Sequence, residues 1–260
     1  MKRDDRRQAI MDLLVRDGAV ELEALATHFS VSKMTIHRDL DDLEAAGLLR
    51  KIRGGATIEA GTQFESHFRF RAQQGSVAKA AMAQAALDLI EPGMSVIVND
   101  GSMAAVLGAR LTEKRPLTVL TNNAAVIDAL KFESGITLIA LGGVYSAKFN
   151  GYFGRVTEAA LTHMRADLAF VSTPAVSGIE VFHMDADVVR TKHAMMLAAT
   201  KSCLLVDQSR FGHTALYKLA DLSDFDAIIT NRSPDEKSLA AIADAGLSLT
   251  IAAEQEIDAG

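Results

Sequence analysis

The sequence predicts an α/β protein in which a winged helix-turn-helix precedes a larger, doubly wound and mainly parallel α/β unit. Three observations lead to this fold class. Three short helical patterns and two short strands open the chain, helical patterns then alternate with short apolar runs, and 260 residues suit one or two domains. Apolar residues make up 49% of the chain and charged residues 23%, which are the proportions of a globular protein.

Composition also excludes several classes of protein. No apolar run reaches the roughly 18 residues of a membrane-spanning helix, and the charged start lacks the apolar stretch of a signal peptide. The single Cys203 cannot form an internal disulfide or a zinc knuckle. We therefore expect a cytoplasmic protein with no membrane partner, no cofactor and no metal.

The first helices follow from apolar residues at helical spacing. Residues 6–15 and 21–29 each carry such a pattern, and Asp17-Gly18 separates them. Ser32 is a good N-cap for a third helix, in which Ile36, Leu40 and Leu43 recur at i, i+4 and i+7. This order of short helices and a tight turn is typical of a helix-turn-helix.

Two short strands, 48–50 and 56–58, complete the winged domain around a turn that contains Gly54-Gly55. The second helix of a helix-turn-helix lies in the DNA major groove, and a wing suits contact with phosphate or the minor groove. The predicted DNA-binding residues are Ser32, Lys33, Thr35, His37 and Arg38 on the helix and Arg50, Lys51, Arg53 and Gly54 on the wing. The alternative for each is a solvated charged surface.

The net charge of −6 is unevenly distributed. Residues 1–58 hold 10 Lys and Arg and 10 Asp and Glu, so the excess acid lies in the remainder of the chain. Basic residues cluster at both ends of this segment, at Lys2, Arg3, Arg6 and Arg7 and again at Arg50, Lys51 and Arg53. A DNA-binding protein needs such a local basic face rather than a basic total.

We divide the chain into a DNA-binding domain over 1–58, a linker over 59–75 and an α/β domain over 76–260. The helices predicted in the larger domain span 77–90, 103–111, 124–131, 156–164, 187–200 and 234–245. The strands predicted between them span 95–99, 117–120, 137–141, 168–172, 203–206, 227–230 and 247–251. Strands that alternate with helices of this length indicate a parallel sheet covered on both faces.

Ligands of such sheets bind beyond the carboxyl ends of the strands. Three loops lie there, at 99–103, 121–123 and 141–143. In the first, Gly101 and the Ser102 hydroxyl precede a helix whose positive end suits a phosphate. A single Gly-Ser turn is weak evidence, but three polar or glycine-containing loops at successive strand ends favour an anion site.

At this point the chain resembles the DeoR family of bacterial transcriptional regulators. The matching residues of the first domain are Leu25-Ala26, Val31-Ser32, Thr35 to Leu40, Leu43-Glu44, Gly47 and Arg53 to Ala56. Those of the second are Lys79, Pro92-Gly93, Gly151, Gly154, Asp167, Phe170, Lys192 and Leu205 to Gly212. His37, Met103 and Arg210 depart from the family's usual residues.

The resemblance implies an effector domain similar in fold to ribose-5-phosphate isomerase, with phosphorylated sugars as usual effectors. It assigns Asp100, Gly101 and Ser102 to a sugar-phosphate loop, Asn122, Gly142 and Gly143 to the pocket wall, and Arg210 to a cationic contact. It also implies a repressor of carbohydrate genes that is released from operator DNA by its effector. Paired operator half-sites call for a homo-oligomer, a dimer or tetramer.

An isomerase with an added DNA-binding module is the alternative function. Aldose–ketose isomerisation needs a carboxylate base beside the sugar, and residues 172–178 contain none. Asp100 or Asp207 would have to replace it. We expect that the protein is not an enzyme, and that Asp185 and Asp187 cap a helix at least as readily as they contact a ligand.

Overall fold

The computed structural model describes residues 3–45, 48–57 and 68–252. The chain divides into two compact units, residues 1–74 and 75–260, which we describe separately. Lys2, Gly47 and Ile58, and most of the segment predicted as a linker, lie outside the described residues.

The first unit contains the three predicted helices and a small antiparallel sheet. Its elements are α1 (Arg3–Asp17), β1 (Ala19–Glu21), α2 (Leu22–His28), α3 (Lys33–Ala45), β2 (Arg50–Ile52), β3 (Gly55–Thr57) and α4 (Phe68–Gln73). The apolar faces of α1, α2 and α3 meet in one core around Ile10, Leu25, Ile36 and Leu40. The periodic residues of the sequence therefore form the core that they predict.

The sheet of this unit differs from the prediction in two ways. It has a third strand, because β1 pairs with β3 in the order β1-β3-β2, and the wing turn contains only Arg53 and Gly54. A three-residue strand is too short to show an alternating pattern. β1 and β3 approach each other so closely at position 55 that only glycine fits. A Cβ atom there would lie 2.0 Å from the carbonyl oxygen of Val20.

A buried carboxylate joins α1 to α3. Asp39 is 1% exposed and accepts hydrogen bonds from Nε of Arg6 at 2.6 Å and of Arg7 at 3.4 Å. Arg3 and Arg7 also pair with Asp42. The described arginines of the predicted basic cluster near the start are therefore paired with carboxylates of α3.

The second unit is built on a parallel sheet. Its first elements are α5 (Ser76–Leu87), β4 (Ser95–Val98), α6 (Ser102–Arg110), β5 (Leu117–Thr121), α7 (Ala124–Leu130), β6 (Ile136–Ala140), β7 (Val144–Ser146), β8 (Gly151–Phe153) and α8 (Arg155–Leu161). There follow β9 (Ala166–Ser172), β10 (Ala175–Ser177), β11 (Glu180–His183), α9 (Ala186–Leu197), β12 (Ala199–Leu205), β13 (Tyr217–Asp221), β14 (Ala227–Thr230), α10 (Glu236–Asp244) and β15 (Thr250–Ile251). The seven parallel strands lie in the order β15-β14-β12-β9-β4-β5-β6.

Side chains on the central strands alternate between the two faces of this sheet. Val96 and Phe170 pack with α5, α6 and α7 on one face, whereas Ile97 and Ala169 pack with α8 and α9 on the other. The doubly wound fold class is therefore confirmed. Cys203 is buried as expected, and burial raises the pKa of its thiol to about 12.

Some elements of this unit escape the sequence patterns. The β7–β8 hairpin and the antiparallel sheet β10-β11-β13 consist of strands of three to five residues. β12 begins at Ala199, whereas the predicted strand begins at residue 203. The apolar pattern misses the first residues of this strand because Thr200 and Lys201 are polar and exposed. No helix among the residues described is both long and apolar enough to cross a membrane.

The Asp39 cluster generates a prediction about the stability of the first unit. Removal of one member of a buried ion pair typically costs about 3–5 kcal/mol, because the remaining charge stays desolvated. Asp39→Ala should therefore accelerate amide hydrogen exchange in α1 and α3 by roughly a hundredfold or more, measured by mass spectrometry on the full chain. Asp42→Ala is the matched control, since Asp42 is 44% exposed and its loss should cost under about 1 kcal/mol. Equal protection in the two variants would contradict a structural role for Asp39.

Candidate functional site

The candidate DNA-reading helix is α3, which Ser32 caps as predicted. The Ser32 hydroxyl oxygen accepts a hydrogen bond from the backbone N–H of Thr35 at 3.1 Å and lies 2.9 Å from the Thr35 hydroxyl. The helix buries Ile36, Asp39, Leu40 and Leu43 against the core. Its remaining faces are therefore available to a partner.

The predicted reading residues fall on those faces, but their surroundings differ. His37 and Arg38 are exposed and have no ion pair with any described residue. Lys33 pairs with Glu23 of α2, and its ammonium group lowers the pKa of the Glu23 carboxyl. Thr35 is half-buried and engaged with Ser32.

Lys51 of the wing makes polar contacts with the candidate reading helix. The backbone N–H of Lys51 donates to Glu44 of α3 at 2.7 Å, and its ammonium group pairs with Asp41. Arg50 is exposed on β2, and Arg53 and Gly54 form the exposed turn, where Gly54 adopts a φ of +84°. Among the described residues, the contacts shown join the wing to the later part of α3, at Asp41 and Glu44, and not to the predicted residues 32–38.

The second candidate site lies at the switch point of the parallel sheet. From β4 the chain proceeds to β5 and β6 on one side, whereas β9 and β12 lie on the other, so connections diverge between β4 and β9. The loops beyond the carboxyl ends of these strands form the expected ligand crevice of such a sheet. Asn99 to Ser102 follow β4, and Thr173 follows β9.

The loop between β4 and α6 is fixed by Gly101 and Asn123. Gly101 has a φ of +104° and a ψ of 163°, a conformation that is essentially restricted to glycine. The Asn123 amide donates to the carbonyl oxygens of Asn99 at 3.1 Å and Gly101 at 3.0 Å. This arrangement presents the first N–H groups of α6, which have no partners within the helix, at the sheet edge.

A buried ion pair closes one side of this loop. Nζ of Lys192, on α9, lies 3.5 Å from Oδ1 of Asp100, and the two side chains are 3% and 2% exposed. The same ammonium group donates to the carbonyl oxygen of Ser172 at 2.7 Å. Lys192 therefore connects the loop after β4 to the end of β9.

The loops after β5 and β6 form the rest of the wall. The Asn122 amide donates to the carbonyl oxygen of Tyr152 at 2.9 Å, which ties the end of β5 to the β7–β8 hairpin. Gly142 accepts a hydrogen bond from Thr157 at 2.6 Å, and Gly143 has a φ of +140°. Asp100 lies against this region too, because a Cβ atom at Gly151 would be 3.3 Å from that of Asp100.

Three buried oxygen atoms around the loop lack a hydrogen-bond donor among the residues described. They are Oδ1 of Asn99, Asp100 and Asn122, of which the Asp100 atom faces the Lys192 ammonium group at 3.5 Å. A buried acceptor without a donor costs free energy, so such atoms call for an explanation. A ligand with several hydroxyl groups would supply the missing donors.

Arg210 is placed differently from the other predicted pocket residues. It is half-buried in a short helical turn after β12, two strands from β4 in the sheet, and forms no ion pair with described residues. It shares the carboxyl edge of the sheet with the loop, but no hydrogen bond or ion pair among the described residues joins them. Asp185 caps α9 through hydrogen bonds from Asp187 and Val188, as the capping interpretation predicts.

Sequence reasoning did not assign site roles to Asn99, Asn123, Ser172 or Lys192. A signal for Lys192 was present, because Val188, Lys192 and Met195 recur at i, i+4 and i+7 on the buried face of α9. A lysine on such a face needs a buried partner. The sequence offers Asp100 as a substitute base, but the structure pairs it with this lysine.

Comparisons with known proteins cover both units of the chain. A family model described as "DeoR-like helix-turn-helix domain" matches residues 6–61, and one described as "DeoR C terminal sensor domain" matches residues 74–232. The "L-fucose operon activator" of Haemophilus influenzae is 34% identical over 235 residues, which cover 88% of this chain and 93% of that protein.

Another relative and one solved structure extend the comparison. The "Glycerol-3-phosphate regulon repressor" of Escherichia coli is 27% identical and covers 96% of this chain and 100% of its own length. Ribose 5-phosphate isomerase A from Methanocaldococcus jannaschii aligns with a TM-score of 0.37 and 19% identity, over 51% of this chain and 53% of its own.

The buried ion pair generates a prediction about the second unit. Lys192→Met and Asp100→Asn should each destabilise the protein, the former by about 3–5 kcal/mol, because each leaves a charge without its buried partner. The double variant should lose at least about 1 kcal/mol less than the sum of the two. Urea unfolding followed by circular dichroism measures the three free energies. Additive losses would show that the two side chains do not interact.

Proposed function

The chain belongs to the DeoR family of transcriptional regulators, and from that premise we propose that its first unit binds operator DNA and releases it when a phosphorylated sugar binds the second unit. The observation that carries the effector part is the group of donor-free, buried oxygens beside the start of α6. Relatives named as an "L-fucose operon activator" and a "Glycerol-3-phosphate regulon repressor" support a target among carbohydrate genes. We propose repression as the mode of regulation.

In this proposal α3 reads bases and the wing contacts the backbone. Lys33, Thr35, His37 and Arg38 face base edges, with Ser32 at the start of the helix. Arg50, Lys51 and Arg53 bind phosphates or the minor groove, and Gly54 permits close approach of the wing backbone. His37 donates one hydrogen bond where an arginine offers a bidentate fork.

The two lysines of this set must exchange partners when DNA binds. Lys33 and Lys51 are paired with Glu23 and Asp41 in the free protein. A DNA phosphate replaces the carboxylate, so the net gain per lysine is smaller than for an unpaired cation. His37, Arg38 and Arg53 have no such competitor among the described residues.

The effector site combines a positive helix end with hydroxyl acceptors. The N–H groups at the start of α6, together with Ser102, receive the phosphate. Sugar hydroxyl groups donate to Oδ1 of Asn99 and Asn122, which lack a donor in the described structure, and to Oδ1 of Asp100, which Lys192 faces at 3.5 Å. Gly142 and Gly143 form the opposite wall, and Arg210 offsets the remaining ligand charge.

The proposal includes an oligomer and a location. Effector and DNA affinities are reciprocally coupled when both ligands favour different arrangements of paired DNA-binding units. Symmetric operator half-sites then require a homodimer or a tetramer. We propose a cytoplasmic location, because the protein must reach its operator DNA.

Variants of two arginines test the contact with phosphate and the contact with bases independently. Arg53→Ala should weaken binding to operator and scrambled duplexes by a similar factor and reduce the salt slope by about one phosphate contact. Arg38→Ala should instead change the preferred base at one position, at a cost of roughly 1–3 kcal/mol. Fluorescence anisotropy titrations at several salt concentrations measure both effects. A uniform loss in both variants would place Arg38 on phosphate instead.

Two further variants test the effector site independently of DNA binding. Ser102→Ala and Arg210→Ala should remove the release of operator by phosphorylated sugars while leaving operator affinity within about twofold, because neither residue belongs to the DNA-binding unit. Ser134→Ala is the matched control, since Ser134 precedes β6 at the opposite edge of the sheet. The assay is operator titration with and without pentose, hexose and triose phosphates. Normal release from both variants would move the effector site elsewhere.

A further inference from the structure

The reading helix carries a large apolar side chain on its exposed side. Met34, the second residue of α3, is 62% exposed. At about 3.6 residues per turn it lies nearly opposite the buried residues Ile36, Leu40 and Leu43. Met34 therefore occupies the centre of the exposed face in the first turn of the helix.

Met34 is also unusual within its unit. Among the apolar side chains that the structure describes in residues 3–57, Met34 and Ile52 are the large ones with substantial exposure, at 62% and 42%. The other large apolar residues of the three helices pack into the core. Met34 therefore adds little to the core of the free protein, and its side chain is accessible to a partner.

The surroundings of Met34 identify the kind of partner. Arg38 follows it one turn later on the same face, and His37 and Lys33 lie beside that stripe. Lys33 is paired with Glu23, but Arg38 has no ion pair with a described residue and gives this part of the face a positive charge that is complementary to DNA. The first residues of a recognition helix contact base edges. In the major groove the apolar group that a base edge presents is the 5-methyl of thymine.

We propose that Met34 is a specificity-determining residue that packs against the 5-methyl group of a thymine in each operator half-site. The methionine side chain is flexible and polarizable, which suits contact with a single methyl group at a groove floor. Thr35, whose methyl group is the other apolar group near the start of α3, is half-buried and held by Ser32. The inference rests on the proposed reading of DNA by α3.

The experiment compares thymine with deoxyuridine, which pairs identically but lacks the methyl group. Duplexes that the full-length protein binds are first selected from a random library, and each thymine is then replaced singly by deoxyuridine. We expect one position per half-site at which the replacement weakens binding by the wild-type protein about fourfold, as expected for one buried methyl group. Met34→Ala should bind the thymine and deoxyuridine duplexes equally at that position.

Two control variants make the result specific. Met34→Leu keeps an apolar side chain and should retain the preference for thymine. Ile52→Ala removes the other exposed apolar side chain of the unit and should also retain it. Sedimentation of Met34→Ala should match the wild-type protein, whereas a changed oligomeric state would assign Met34 to a contact between subunits and overturn the proposal.

Other outcomes overturn the inference at distinguishable levels. Equal binding of thymine and deoxyuridine duplexes by the wild-type protein at every position would refute the methyl contact. A thymine preference that persists in Met34→Ala would assign the contact to another residue. A library from which the protein selects no sequence would refute the proposed reading of DNA, and this inference with it.

Discussion

The buried ion pair between Asp100 and Lys192 is the interaction on which the larger unit's candidate site depends. Neither charge is stable alone in so dry an environment, so α9 and the loop after β4 must lie together. The additional hydrogen bond from Lys192 to Ser172 adds the end of β9. One ammonium group therefore holds both sides of the switch point, the position at which parallel sheets of this kind bind their ligands.

The first unit uses the same physical device for a different purpose. Asp39 is buried under the arginines of α1, and this fixes the orientation of the helix that carries His37 and Arg38. Acids also accompany the surface cations, since Glu23 and Asp41 pair with Lys33 and Lys51. The unit thus offers a basic reading surface without a basic net charge. In the proposed DNA complex, such pairing would compete with phosphate contacts by the two lysines.

The ion pair also bears on the difference between sensing a sugar phosphate and converting it. A general base needs a carboxylate that is free to accept a proton from the substrate. The segment after β9 supplies no acid, and Asp100 lies beside a buried ammonium group. Oδ1 of Asp100 faces this ammonium group at 3.5 Å and has no hydrogen-bond donor in the described structure, so it is suited to accept a hydrogen bond from a ligand hydroxyl group while remaining ion-paired. This chemistry favours recognition of a polyhydroxylated anion.

The sequence by itself determined the order of helices and parallel strands, the Ser32 and Asp185 caps, the polar loops at strand ends and the family resemblance. These follow from local patterns, because helical spacing, capping residues and glycine act over a few neighbouring residues. Only the tertiary structure decided that Lys192 faces Asp100, that Asp39 neutralises arginines near the start, and that β1, the β7–β8 hairpin and the β10-β11-β13 sheet exist. A periodic pattern reports that a residue is buried but not which distant group it meets. Partners that are far apart in the chain are chosen by packing and by the need to pair every buried charge.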